Sequence, residues 1–445
     1  MEKVVIVGSN HAGIAAANTL LDNYADKQVV LVDRNTNLSY LGCGTALWVG
    51  RQIDSYRDLF YTSKEQLEQK GAQVHLQTEV QAIDFTNKII KCLSLKDNTS
   101  FELDYDKLIL ATGSRPITPK IDNSDLAGIH FLKLFQEGQA VDAALDLEHV
   151  KRVAVIGAGY IGVEIAEAIK RRQKEVLLFD AAPHSLSSYY DPEFANLMDQ
   201  NLTQHGIECH FDEIVTAYHG QDHISQISTT KGQYQVDLVI NAIGFLPNAP
   251  FGKDHLKLFS NGAYLVDEHQ QTSDPNVYAI GDCATIYSNA LQQTSYIALA
   301  SNAVRSGIVA AHNIGQFDSV SAPGVQGSNA ISIFDLKLVS TGLSLAAAQK
   351  FGIEAQVSDF EDLQKPVFIK DNYQVKIRIV FAKDSRRILG AQLASNEDVS
   401  GVIHMFSLAI QQQLTIDQLK LLDIFFLPHF NQPYNYITQA ALHAK

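Results

Sequence analysis

No two cysteines in the 445 residues stand at a C-x-x-C or C-x4-C spacing, and the four present (Cys43, Cys92, Cys209, Cys283) lie far apart. That absence excludes a local dithiol centre and a disulfide-stapled secreted fold, and it suits a reducing cytoplasm. Positive charge is also scarce. The 35 Lys and Arg against 49 Asp and Glu leave a net charge of -14. A nucleic-acid partner would want a basic stripe instead. No apolar run reaches the length of a bilayer span, so no membrane partner is expected. Met1-Glu2-Lys3 leads straight into Val4-Val5-Ile6-Val7, so no secretory leader is expected. There is no long like-charge run and no low-complexity segment. What remains is a chain with 46% hydrophobic residues, room for about three domains with a core each.

Val4–Val7 reads as a central parallel strand buried on both faces. It runs into Gly8-Ser9-Asn10-His11-Ala12-Gly13 and an Ala-rich helix over Ile14–Leu21. A second strand, Val29–Val32, ends at Asp33, twenty positions after Gly13. This is a dinucleotide-binding βαβ pattern: a tight turn, phosphates at a helix N-terminus, and an acid accepting from a ribose hydroxyl. Asn10 replaces the middle glycine.

A second copy is complete. Val153–Ile156 precedes Gly157-Ala158-Gly159-Tyr160-Ile161-Gly162, and a helix is expected to begin at Val163-Glu164. The next strand, Val176–Phe179, ends in Asp180, eighteen residues past Gly162. Asp180 would repel a 2′-phosphate, and no arginine follows in Ala181–Ser185, so this copy predicts NAD(H) over NADP(H).

Between the copies, a helix with a Ser63/Gln66 capping box is expected. The runs Val74–Gln77, Val80–Phe85, Ile89–Leu95 and Phe101–Leu103 predict a small antiparallel insertion. A buried strand, Leu108–Gly113, is followed by Ser114-Arg115-Pro116, where proline should stop regular structure. Val277–Ile280 is a further strand that ends in Gly281-Asp282. From about Gly324 the composition shifts to alternating strands (Ile331–Phe334, Val375–Phe381, Ile388–Leu393) with a helix over His404–Gln412. The aromatic segment Asp423–Asn435 reads as an interface. His219 and His223 lack a third ligand nearby and are read as exposed loop residues, with no metal site expected.

Cys43 stands between two glycines in Ser39-Tyr40-Leu41-Gly42-Cys43-Gly44-Thr45-Ala46-Leu47-Trp48. Glycines there let backbone approach a flat ligand, and Tyr40, Leu41, Leu47 and Trp48 predict an apolar wall sheltering the sulfur. A redox-active Cys43 must work alone, through a sulfenic acid or a mixed disulfide with a small thiol.

The order Ala111-Thr112-Gly113, a G-x-G-x-x-G unit, then Tyr278-Ala279-Ile280-Gly281-Asp282 resembles the two-dinucleotide-domain flavoprotein disulfide oxidoreductases. The lone cysteine is similar to their single-cysteine branch, which holds NADH oxidases, NADH peroxidases and coenzyme A-disulfide reductases. Further matches are Asn10–Gly13, Gly42–Gly50, Gly157–Glu164, Ser295–Ala300, Gly324–Ser328 and Phe425–Tyr436. The chain most resembles the water-forming NADH oxidases of lactic-acid bacteria and streptococci. Tyr40 departs from an expected Phe, and Ala330 stands where glycine is common.

The resemblance implies an α/β fold with two Rossmann-like dinucleotide-binding domains and a C-terminal α+β dimerisation domain. FAD would occupy residues 1–115 with 245–323, NAD residues 116–244, and dimerisation residues 324–445. It implies FAD contacts from Gly8, Ser9, Asn10, His11, Ala12, Gly13, Asp33, Arg34 and Cys43. Val80, Ala111, Thr112, Gly113, Ser114, Lys133, Gly281, Asp282, Leu299, Ala300 and Ser301 complete that set, with Asp282 on the ribityl chain. NAD would meet Gly157, Gly159, Tyr160, Ile161, Gly162, Glu164, Asp180, Tyr189, Gly244 and Ala330. Tyr160 would cover the nicotinamide face and swing away when NADH binds. Phe426 and His429 would reach the partner subunit's flavin pocket in a homodimer. Cys43 and His11 would be catalytic, with His11 as acid–base partner at a helix N-terminus whose positive end favours a thiolate or sulfenate. The implied activity is reduction of O2 to water by two NADH through FAD and a Cys43 thiolate/sulfenic acid cycle. NADH peroxidase and coenzyme A-disulfide reductase activities fit the same scaffold, and a slow-turnover flavin redox sensor is the reading from a different class.

Overall fold

The computed structural model describes residues 1–445. Two five-stranded sheets are parallel throughout, as their near-continuous Val/Ile/Leu strands require when both faces are covered. The first runs Val277–Ala279, Lys107–Leu110, Glu2–Val7, Lys27–Val32, Gln73–His75 in spatial order. The second runs Glu208–His210, Glu175–Phe179, Arg152–Ile156, Leu238–Asn241, Ile129–Phe131. Each is a Rossmann-like unit, and the chain leaves the first sheet after Leu110 and returns to it at Val277.

Separate apolar clusters cover the two faces of the first sheet. Val4 and Ile6 point into one and Val5 and Val7 into the other, the alternation that a strand's two-residue period dictates. The third sheet is antiparallel, ordered Asn329–Ile333, Leu336–Gly342, Ile388–Ser395, Gln374–Ala382, Ala355–Leu363. Its central strand Ile388–Ser395 is buried at every residue, with the helix Ser400–Gln411 over it and Tyr436–Leu442 over the neighbouring strands Gln374–Ala382 and Ala355–Leu363. No helix of the structure is long and apolar enough to cross a membrane.

Several expectations are corrected by pairing partners distant in sequence. The first of the four runs placed in an antiparallel insertion instead forms the edge strand Gln73–His75, parallel to Val30–Val32. The other three make the antiparallel sheet Thr78–Asp84, Ile89–Ser94, Ser100–Asp104. Pro116 does not end regular structure. Ser114–Pro116 pairs antiparallel with Phe245–Pro247, and proline is tolerated in this two-stranded ribbon because neither strand is central. The second nucleotide helix begins at Tyr160, directly after Gly159, rather than at Val163. Gly162 then lies inside the helix, where an added Cβ would run into the Gly157 carbonyl, so glycine there serves packing. His219 is half-buried on the strand Val215–Gly220, bonded to Ser228 Oγ at 2.7 Å, not an exposed loop residue, whereas His223 is exposed but forms a parallel bridge with Ala127. The Ser63/Gln66 capping box is present at the helix Lys64–Gln69.

Candidate active site

Cys43 is the middle residue of a 3-10 turn, Gly42–Gly44. The Thr45 hydroxyl closes it by donating to the Gly42 carbonyl at 2.7 Å, and Tyr40 donates in turn to Thr45 at 2.5 Å. A Cβ at Gly44 would displace the end of the buried Leu59 side chain, whereas Gly42 has only ordinary contacts, with the Tyr40 ring and the Lys133 carbonyl. The expected apolar wall divides. Tyr40 and Trp48 turn inward onto Phe135, at centroid distances of 5.5 and 5.8 Å, while Leu41 and Leu47 face outward. Burying two such rings stabilises the loop by several kcal/mol (about 1.5–3 kcal/mol for each large apolar side chain), so tertiary packing claims them, and the Cys43 residue keeps solvent access at the edge of a cleft that still desolvates its thiol.

The short helix Thr45–Val49 that carries this turn packs on the helix Tyr160–Arg171, with Gly50 against Ala168. Glu164 lies one turn before Ala168 on the same face, close enough for its charge to act on the Cys43 thiol. Desolvation raises the Cys43 thiol above its ordinary pKa. Glu164 adds to the rise, Lys133 opposes it, and Asp282 adds a smaller share. A helix N-terminus nearby had suggested the opposite direction. Glu164 is itself pushed up to about 7, by desolvation and then by Glu167 on the next turn. Glu164→Gln is therefore expected to move the midpoint of Cys43 alkylation to lower pH, read from rate against pH. An unchanged midpoint would remove Glu164 from the thiol's environment.

Linkage gives that same variant a second signature. From pH 4.5 to about 7 the folded chain retains a Glu164 proton that the unfolded chain has released, so Glu164's contribution to stability declines as pH rises.

His11 opens the helix His11–Asn23, half-buried, with Nδ1 3.1 Å from the Tyr61 hydroxyl. Burial lowers its pKa, Asp282 pulls it up and Lys133 down. The charged groups acting on His11 and Cys43 are thus partly the same, although the polar contact His11 makes is to Tyr61. Tyr61 carried no signal in sequence, being fifty residues away.

Around the first loop, Gly8 has φ +108 and lies so close to Ala111 that any Cβ would clash, and Gly13 abuts the Gly8 carbonyl. Asp33 accepts from Ser9 N and Ser9 Oγ, both at 2.8 Å. Asn10 is exposed at the helix cap, Ala12 is buried, and Arg34 is exposed just past the strand. Val80 sits half-buried against the sheet's second face. Thr112 Oγ1 donates to Asn248 O at 2.5 Å, which holds the Ala111-Thr112-Gly113 turn.

Lys133, Ser114 and Asp282, far apart in sequence, converge. Lys133 Nζ donates to Ser114 Oγ at 2.8 Å, Ser114 Oγ donates to Asp282 Oδ2 at 2.8 Å, and the ion pair measures 3.3 Å. Lys133 also lies 4.6 Å over the Phe245 ring. Gly281 N donates to Ser306 Oγ at 2.9 Å, on the helix Ala300–Gly315 that Leu299 caps and Ala300 and Ser301 begin.

The second loop repeats the first. Asp180 accepts from Ala158 N at 2.6 Å as Asp33 accepts from Ser9 N, and Gly157 has φ +101. Ile161 and Glu164 are half-buried on the first turns of its helix. Tyr189 packs edge-on against Tyr160 at 4.5 Å. Gly244 turns the chain at φ +106 toward the Phe245–Pro247 ribbon, and Ala330 is exposed on the first strand of the third sheet. Phe426 and His429 are exposed at a distance from this cleft in sequence, within the non-helical segment after Leu422.

The residues present fit two dinucleotides. A Cβ at Gly113 or Gly159 would meet nothing within 4 Å, so at both turns the missing side chain leaves open space for a ligand backbone rather than for protein. Each loop also has its acid at the end of the following strand.

Comparison with known proteins agrees with this geometry. Residues 2–307 match the pyridine nucleotide-disulphide oxidoreductase family and residues 329–435 its dimerisation domain. The chain is 61% identical to an NADH oxidase of Lactococcus lactis subsp. cremoris and 52% identical to one of Streptococcus pyogenes, over 100% of each chain. It superposes on the water-forming NADH oxidase from Lactobacillus brevis bound to NADH with a TM-score of 0.96, at 36% identity, covering 99% of this chain and 98% of that one. With one dinucleotide fold inserted in another, a lone cysteine in the first and a C-terminal dimerisation domain, this chain belongs to the FAD-dependent pyridine nucleotide-disulphide oxidoreductases.

Proposed function

We propose that the protein is an FAD-dependent NADH oxidase that reduces O2 to water, with Cys43 alternating between thiolate and sulfenic acid. The observation that carries this reading is a solitary cysteine with solvent access, its thiol set in the field of Glu164, Lys133 and Asp282, with no second sulfur to complete a disulfide. Burial holds Cys92 and Cys209 near pKa 11, and Cys283 is fully buried, so none of them is poised to react.

FAD would be held by the Gly8–Gly13 loop, Asp33 and the Lys133–Ser114–Asp282 cluster, and NADH by the Gly157–Gly162 loop and Asp180. When bound, the flavin supplies the hydride acceptor and the route by which electrons reach oxygen. Glu164, near half-protonated at neutral pH, would orient the reacting edge of the nicotinamide without placing a full negative charge there. The Cys43 thiolate attacks one oxygen of hydrogen peroxide. The S–O bond forms, the O–O bond breaks, and the departing hydroxide takes a proton to leave as water. His11 would supply that proton, with Tyr61 at Nδ1 fixing the ring and leaving Nε2 free. Two further electrons and protons return the sulfenic acid to thiol and release the second water. Asp180, already engaged by Ala158 N, would accept a ribose hydroxyl and repel a phosphate, giving NADH preference over NADPH.

The test is the stoichiometry of the purified holoenzyme. Two NADH per O2 with little free peroxide are expected, because the cysteine cycle consumes a second electron pair. One NADH per O2 with matching peroxide would overturn the reading.

The four free cysteines support work in a reducing cytoplasm. A homodimer is supported by the exposed aromatic surface of Phe425, Phe426, Phe430 and Tyr434, which a second copy would cover with its own. In that dimer Phe426 and His429 would approach the partner's flavin pocket. A fully active monomer at micromolar concentration would exclude this arrangement.

A further inference from the structure

Tyr160 is the first residue of the helix that follows the second phosphate loop, and its hydroxyl is held from two sides. It meets the Tyr190 hydroxyl at 2.9 Å and donates to Asn329 Oδ1. Tyr190 is fully buried, and Asn329 opens the first strand of the third sheet, 169 residues away in sequence. Asn329 is fixed in turn: its amide donates to Gly327 O at 2.7 Å, and Ser340 Oγ donates to its Oδ1 at 3.0 Å.

The location of Tyr160 gives these bonds a consequence. Gly159, immediately before it, has open space where a Cβ would be, and Glu164, one turn beyond it, acts on Cys43. A dinucleotide anchored at the loop by its phosphates must lead its nicotinamide along this first turn to reach the Cys43 cleft. Tyr160, the first residue of the helix, is the first side chain on that turn. We propose that Asn329 and Tyr190 are positioning residues that latch Tyr160 across the nicotinamide approach, so that the third sheet sets the affinity for the nicotinamide half of NAD(H). This rests on the nucleotide assignment made above.

The acceptor arrangement makes the latch reversible. Three hydroxyls surround Asn329 Oδ1, which has two lone pairs: Tyr160, Ser340 and, at 3.4 Å, Tyr190. When Tyr160 leaves, Tyr190 takes the vacated lone pair and Ser340 keeps the other. No buried polar group is orphaned, so opening is opposed only by the net worth of the bonds broken and not by a desolvation penalty.

The test uses the oxidised holoenzyme and two ligands, NAD+ and ADP-ribose, titrated by calorimetry. ADP-ribose carries the adenosine, both phosphates and the second ribose but no nicotinamide ring, so it need not displace Tyr160. In Tyr190→Phe one anchor is lost with nearly unchanged volume. In the double variant Tyr190→Phe/Asn329→Ala both are lost. NAD+ is expected to bind about three- to tenfold more tightly in the double variant, the factor a net hydrogen bond supplies, and within about twofold of the parent in Tyr190→Phe, where the bond lost in the closed state is offset by the one Tyr190 would have made to Asn329 in the open state. ADP-ribose affinity is expected to stay within about twofold, since its contacts are untouched. NAD+ affinity that stays level or weakens in the double variant would overturn the latch. So would a parallel change in both ligands, which marks a general effect on the fold. If the unmodified holoenzyme binds neither ligand, the nucleotide assignment fails first and the latch falls with it.

Discussion

Cys43→Ser is expected to halve the NADH consumed per O2, from about two to about one, and to release hydrogen peroxide in place of water. Serine is nearly isosteric with cysteine, and the turn that presents position 43 is held by Thr45, Tyr40 and Gly44 rather than by the sulfur. Fold and FAD content should therefore survive. What is lost is a nucleophilic sulfur that accepts an oxygen atom and is oxidised to a sulfenic acid. A serine hydroxyl does neither. The check is simultaneous measurement of NADH, dissolved O2 and peroxide with variant and parent protein. A variant that still makes water cleanly would show that Cys43 is structural. A variant with no flavin would point to a folding defect, and Cys43→Ala would then decide between the two.

Arg378→Ala is expected to destabilise the protein by about 3 kcal/mol, the low end of the cost of breaking a buried pair, because Asp191 is buried while Glu193 and Asp359 are 51% and 44% exposed. Arg378 is 4% exposed, on the central region of the third sheet. It makes paired bonds to Glu193 at 2.8 and 2.9 Å and to Asp359 at 2.7 and 2.8 Å, and reaches Asp191 at 3.3 Å. Glu193 and Asp191 belong to the start of the helix Pro192–Gln204, which packs on the second sheet. Asp191 also accepts from the backbone of Leu345 and Ala346 and from Gln392. Removing the guanidinium leaves the buried Asp191 carboxylate with hydrogen bonds but no cation.

The measurement is the thermal midpoint of the holoenzyme, with Arg378→Ala/Asp191→Asn as the companion variant. Neutralising Asp191 should recover part of the loss, because the uncompensated charge is then gone. A loss below about 1 kcal/mol would show that backbone and amide donors alone support Asp191. The network has a pH signature as well. The Arg378 hydrogen bond holds the Glu193 carboxyl below its ordinary value. Its share of stability is therefore present above the ordinary Glu range and disappears as pH falls through the lowered pKa.

Features confined to one continuous stretch were legible in the sequence. Both nucleotide loops, their acids Asp33 and Asp180, the capping box at Ser63 and the solitary Cys43 are each decided by a few adjacent residues. Backbone sterics, strand periodicity and helix-end chemistry act at that range. The fold class followed because strand, loop and helix come in a fixed order along the chain.

Tertiary structure decided what depends on residues meeting from afar. The Val74 run gives a parallel edge strand because its partner is Lys27–Val32, which the run itself does not specify. Tyr40 and Trp48 read as walls of a pocket, yet Phe135, almost ninety residues on from Trp48, supplies the apolar surface that draws them inward. Lys133, Ser114 and Asp282 had their places from family resemblance, but only the packed chain brings one ammonium within reach of both partners. The raised Glu164, the Tyr61 contact to His11 and the Asn329 hub have no local signature at all. Each arises where separate segments exclude water from the same few polar atoms, and desolvation of that kind is a property of the assembled fold.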